Sequence, residues 1–180
     1  MKMSTACVVG NGPLSDQDRN DIQNFSGKVA RFNDTKNKRN GDRHDIHVQR
    51  THGHNNGFHV CDHDTNECKK YELKGGSKAN GQYHGYTLFE GCPFRDDFDM
   101  KRIEGHPTTG AMFLSNLQNS MDVQQIHIYG MNWQMSEEHH SRLEKELIDK
   151  CCTKCIVHET PTNNYLPDKP AYWQETEMAL

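Results

Sequence analysis

The stretch His106–Gly130, HPTTGAMFLSNLQNSMDVQQIHIYG, constrains the fold of this chain more than any other. It reads as a tight polar turn, a helix and a short buried strand. In His106-Pro107-Thr108-Thr109-Gly110, hydroxyls and a glycine stand where the first N–H groups of a helix lack partners. Such a turn can hold an anion, because free N–H groups and the helix dipole both favour negative charge. An ordinary helix cap uses the same residues. Phe113, Leu114, Leu117 and Met121 predict one apolar stripe, and Ile126, Ile128 and Tyr129 a strand ending at Gly130.

A second glycine turn lies near the start. Ala6-Cys7-Val8-Val9-Gly10 is a short apolar run that predicts a buried strand. It breaks at Gly10-Asn11-Gly12-Pro13, residues that tolerate or preset turn geometry. Ser15 with Asp18 forms a capping-box pattern, and Leu14, Ile22 and Phe25 suit the buried side of a helix. Strand, glycine turn, helix opens many nucleotide-binding α/β folds, although GNGP is not the full dinucleotide fingerprint.

The remaining elements follow in order. Strands are expected at Lys28–Phe32, closing on Asn33-Asp34, and at Asp45–Gln49. From 50 to 85 the chain is polar and glycine-rich, with Val60, Tyr71 and Leu73 marking a hairpin or lid. Thr87–Glu90 reads as a strand and Asp96–Glu104 as a short charged helix. Beyond Gly130, Ser136 with Glu137 and Glu138 predicts a helix start. His139, Leu143, Leu147 and Cys151 then fall along one helical row. Cys155–His158 is a final strand, and 161–180 an irregular, proline-punctuated tail with Tyr172 and Trp173 tucked against the body. The alternation predicts one α/β domain over 1–180, with a mostly parallel sheet, helices on both faces and a polar insert at about 50–85.

Composition narrows the function classes. A net charge of −4 excludes a nucleic-acid binder with a broad basic surface. No apolar run reaches the roughly 18 residues of a membrane span, and no leader pattern is visible, so a soluble, cytoplasmic protein is expected. Seven cysteines cannot all pair internally, and in a reducing compartment free thiols or metal ligands are expected rather than a disulfide framework. Cys152-x-x-Cys155 sits at a helix end, not at a helix start where the dipole would activate a thiol. Twelve histidines are a notable excess. The band at 44–63, with His44, His47, His52, His54, His59 and His63 near Cys61, Asp62 and Cys68, has the residue types for zinc. Its spacings match no standard ligand pattern, and a solvated acceptor-binding loop is the preferred reading.

CVVGNGP with a downstream RFND, HPTTG with IHIYG, and His139 followed five residues later by Glu144 occur in that order. Together they resemble the large, small and very small motifs of the eukaryotic-type sialyltransferase family, over roughly residues 6–34 and 104–159. The resemblance implies a Rossmann-like domain of the variant glycosyltransferase type. It implies transfer of sialic acid, or a related keto sugar, from a cytidine monophosphate (CMP) sugar donor to a glycan hydroxyl with inversion. Asn11 and Asn33 would contact the phosphate or ribose, Thr108, Thr109 and Gly110 would hold the donor, and Gly130 would lie beside the nucleotide. His139 would be the general base, a role suited to an imidazole pKa of about 6.5. Gly10, Gly12, His106 and Glu144 would support the site, Glu144 by local structure rather than chemistry.

The donor would be the only small molecule required, with no cofactor, no metal and no nucleic acid. The family's disulfide between the large and small motifs has no match: Cys7 is present, but Ser120 and Met121 stand where its partner would be. The third family motif is also missing, with Asn132-Trp133 near its place. These departures and the missing anchor imply a minimal form, viral or microbial. The rival readings are a catalytically silent nucleotide-binding module and a zinc-binding structural protein built on the band at 44–63.

Overall fold

A computed structural model describes residues 4–51, 57–72, 78–79, 82–83, 86–105, 107–133 and 141–160. The chain forms β1 (Thr5–Val9), α1 (Asp16–Gln23), β2 (Lys28–Phe32), β3 (Ile46–Thr51), β4 (Gly57–Asp62) and β5 (Cys68–Glu72). A two-residue ladder of β6 (Lys78–Ala79) and β7 (Gln82–Tyr83) follows, then a 3₁₀ turn at Arg95–Asp97 and α2 (Met100–Gly105). The last elements are α3 (Thr109–Asn119), β8 (Gln125–Tyr129), α4 (Ser141–Cys151) and β9 (Cys155–Val157).

Seven strands make one mixed, mostly parallel sheet in the order β5-β4-β3-β2-β1-β8-β9. Pairings from β3 through β9 are parallel, while β4 and β5 add antiparallel to one edge. The central strands β1 and β2 are buried on both faces, as their continuous apolar runs require. Ala6, Val8, Phe32, Ile46, Val48, Ile126 and Ile128 pack with Phe113, Leu114 and Leu117 of α3 and Leu147 and Ile148 of α4. On the other face Cys7, Val9, Val29 and Tyr129 meet Ile22 of α1. That helix starts on the expected capping box. Ser15 Oγ accepts from Asp18 N–H at 3.0 Å, and Asp18 Oδ2 accepts from Ser15 N–H at 3.1 Å.

Several expectations are corrected. Thr87–Glu90 is no strand: Phe89 has φ +49°, and side chains take the backbone donors. Leu88 N–H donates to Glu104 Oε1 and Phe89 N–H to Ser115 Oγ, each at 2.8 Å. Met121 leaves the α3 stripe and is 98% exposed, because the chain turns extended at Ser120. Val123 takes the buried place instead. The stretch expected as a polar insert with a hairpin or lid supplies the antiparallel β4 and β5, so His59 stands on a strand rather than in a solvated loop, as His47 does on β3. Leu73, His52, His54, the helix start at Ser136 and the tail from Pro161 lie outside the described residues.

The thiols differ most from expectation. Cys61–Cys68, Cys92–Cys151 and Cys152–Cys155 are disulfides, and Cys7 is free and buried. The first staples β4 to β5, and the second ties the coil after β7 to the end of α4. No helix among the described residues is long and apolar enough to cross a membrane.

Candidate functional site

Strand order reverses between β1 and β8: β2 and β3 are laid down on one side of β1, β8 and β9 on the other. Outside the carboxyl ends of strands at such a point the loops diverge and leave a crevice. Here it is a cleft of about 290 Å³ that brings together Gly10, Asn11 and Gly12, Asn33, Thr108 to Gly110, and Gly130. All eight were named from the sequence for the donor site or its support. His106 and His139 lie outside the described residues.

The glycines are explained by two chain turns pressed against each other. Gly10 N–H donates to Tyr129 O at 2.8 Å, and Gly12 N–H to Gly130 O at 2.7 Å. A Cβ on either Gly10 or Gly12 would lie 2.6 Å from the Gly130 carbonyl oxygen, closer than any real contact. Gly130 itself has φ +67°, a conformation that side chains disfavour. The Gly10 and Gly12 carbonyls need donors, and Asn37 supplies both: its Nδ2 donates to Gly10 O at 2.7 Å and Gly12 O at 2.6 Å. Asn37 is held in turn by buried Arg31, whose Nη1 donates to its Oδ1 at 3.3 Å. Sequence reasoning missed Asn37, since nothing in TKNKRNG separates one turn asparagine from another.

Asn11 and Asn33 serve different ends. Both polar atoms of the Asn11 amide are used inside the protein, Nδ2 donating to Phe32 O at 3.2 Å and Oδ1 accepting from Lys36 N–H at 2.9 Å. Asn33, at φ +51°, accepts from Arg50 N–H at 2.9 Å through Oδ1. Its Nδ2 has no partner among the described residues.

The second turn is built on Thr108, the N-cap of α3. Its Oγ1 accepts from Ala111 N–H at 3.0 Å. Glu144 of α4, 2% exposed, receives the Thr108 N–H at 3.0 Å and the Thr108 hydroxyl at 2.5 Å. Burial pushes the Glu144 carboxyl up to about 7, although the Thr108 bonds and the Arg50 charge oppose the shift. Arg50 also donates to Pro107 O at 3.0 Å. Hydrogen bonds from Arg50 of β3 and to Glu144 of α4 therefore fix this turn. With Thr108 bound to Glu144, the N–H groups of Thr109 and Gly110 are without partners among the described residues, at a helix start that lines the cleft.

Cys7 is no nucleophile for this site, since burial raises its thiol to about 12. Among the described residues no group of three histidine, cysteine or carboxylate side chains is arranged to hold a metal ion. Comparison with known proteins gives no match to a protein-family model, a curated protein or a solved structure.

Proposed function

We propose that the chain is a sialyltransferase-like glycosyltransferase on a Rossmann-like fold, using a CMP-sugar donor and a glycan acceptor. One observation carries the reading: four segments separated in sequence converge on a switch-point cleft lined by the Asn33 amide and by the N–H groups of Thr109 and Gly110, which lack partners among the described residues. The parallel order β3-β2-β1-β8-β9 is the order in which such folds bind nucleotides.

In this reading the donor phosphate meets the N–H groups of Thr109 and Gly110, while the Asn33 amide hydrogen-bonds phosphate or ribose. Gly130, which lines the cleft, lies beside the nucleotide. His139 takes the proton from the acceptor hydroxyl as that oxygen attacks the anomeric carbon. The bond from that carbon to the phosphate oxygen breaks, CMP departs with the electron pair, and the centre inverts. The donor set suits a phosphate without a bridging cation. His139 is five residues from Glu144, so the chain keeps the two α-carbons within about 18 Å whatever its conformation.

Calorimetric titration with CMP, AMP, GMP and UMP tests the site, with at least about tenfold preference for CMP expected. Indifference among the four returns the chain to a generic α/β fold. His139→Ala is expected to slow CMP release from CMP-sialic acid by about 10²–10⁴ while CMP affinity stays within about twofold. Wild-type protein that binds CMP but turns nothing over is the silent nucleotide-binding module instead. The compartment turns on the thiols. Seven free thiols, counted by alkylation of the denatured chain, support the cytoplasm, whereas three intact bridges belong to an oxidising compartment.

A further inference from the structure

Among the described residues lining the cleft, Lys36 alone is ionisable, and the family motifs give it no role. It stands on a turn in which Asn33 and Thr35 both have positive φ, +51° and +49°. Thr35 N–H closes that turn on Phe32 O at 3.0 Å. Asn11 reaches across from the end of β1 and fastens it twice, donating to Phe32 O and accepting the Lys36 N–H. The Asn11 side chain thus secures the backbone from which Lys36 projects. The Lys36 side chain is 72% exposed, and its ammonium pairs with the Asp34 carboxylate at 3.8 Å, also largely exposed. An exposed pair of this kind is weak and yields to a doubly charged phosphate.

We propose that Lys36 reads the negative charge of the phosphoryl group in the cleft, and that Asn11 is a positioning residue acting through Lys36 rather than a direct ligand contact. The inference rests on the nucleotide reading above. It places a cation where the resemblance puts only an amide, in a chain that lacks the third family motif.

The test is titration of CMP, uncharged cytidine and inorganic phosphate into wild type, Lys36→Ala, Lys36→Arg, Asn11→Ala and the Asn11→Ala/Lys36→Ala double variant, at low and high salt. Lys36→Ala is expected to weaken CMP by about tenfold at low salt, with a smaller loss at high salt and no change for cytidine. Lys36→Arg keeps most of the affinity. Asn11→Ala loses about fivefold, and the double variant loses about tenfold rather than about fiftyfold, because both act through one contact. Asp34→Ala, at an exposed site that spares the fold, raises CMP affinity by about twofold. This variant and Lys36→Ala decide the matter even if Asn11→Ala does not fold.

A Lys36→Ala protein within twofold of wild type overturns the role of Lys36 while leaving the site reading intact, and an unchanged Asp34→Ala counts the same way. Multiplied losses in the double variant overturn the positioning role of Asn11. Wild type that binds CMP no better than cytidine overturns the site reading and this inference together. Weak phosphate binding that is lost in Lys36→Ala supports the proposal even without the nucleoside.

Discussion

The two turns that form the cleft are made of similar residues and are satisfied in opposite ways. At Gly10–Gly12 the glycine backbone groups and the Asn11 side chain are spent internally: Asn37 covers two carbonyls, the glycine N–H groups pair with the end of β8, and Asn11 ties down the neighbouring turn. At Thr108–Gly110 the N-cap is held from behind by a buried carboxyl, and Thr109 and Gly110, whose N–H groups lack partners among the described residues, line the cleft. In the proposed reading one turn is scaffold and the other is receptor. A glycine-rich loop therefore need not be the part that touches a phosphate, even when its sequence says nucleotide.

Removing the rear support of the receptor turn should have the largest effect. Glu144→Ala leaves the Thr108 N–H and hydroxyl as buried donors without an acceptor, and each such group costs about 1–3 kcal/mol. A loss of about 3 kcal/mol in urea unfolding is expected, with CMP affinity falling as the Thr109 and Gly110 donors lose their alignment. Glu144→Gln keeps one acceptor and is expected to lose about half as much. A variant within 0.5 kcal/mol of wild type, on the order of surface changes, would show that Glu144 does not hold the turn.

The scaffold turn should respond less. Asn37→Ala strips the side-chain donor from two carbonyls of residues that line the cleft, so about 1–2 kcal/mol is expected by the same measurement. Its binding loss should vanish when affinity is compared at temperatures equally far below each protein's melting point. A binding loss that persists there would make the first turn a receptor as well and erase the contrast.

How much of this was legible follows from which interactions are local. The capping box of Ser15, the buried strands at β1, β2 and β8, and the stripe of Phe113, Leu114 and Leu117 are short-range patterns, and the structure has each of them. Cleft residues were legible too, because turn chemistry at Asn11, Asn33 and Thr108 concentrates in the loops that the sheet order brings together. Thr87–Glu90 failed because its apolar residues plug the core as coil, with donors taken by side chains 16 and 26 residues away. Asn37, Arg50 and Lys36 were illegible for the same reason: their importance lies in partners that no spacing rule points to. The disulfides were misread because pairing was inferred from an assumed compartment rather than from which cysteines the fold brings together.

The smallest effect separates the cleft from the histidine edge by pH. His44 lies with His47 and His63 at the end of the β3–β4 pair, its Nε2 3.0 Å from His47 Nδ1. Burial, with the charges of His47, His63, Arg31 and Lys38, lowers His44 to about 4. Between about pH 4 and 6.5 the unfolded chain therefore binds a proton there that the native chain does not, so this group makes stability rise with pH. Glu144 works in the other direction. Its native value of about 7 lies above the ordinary carboxyl value of 4.5, so between these limits the native chain keeps the proton that the unfolded chain loses, and stability falls as pH rises. The two slopes oppose one another over almost the same window and flatten the wild-type curve. Glu144→Gln should unmask the histidine term, giving a protein whose stability climbs from pH 4.5 to 6.5. His44→Ala should leave the carboxyl term, giving a curve that declines over that interval. Urea midpoints at half-unit pH steps check both signs, and parallel curves for the two variants would mean that neither group titrates apart from its unfolded value.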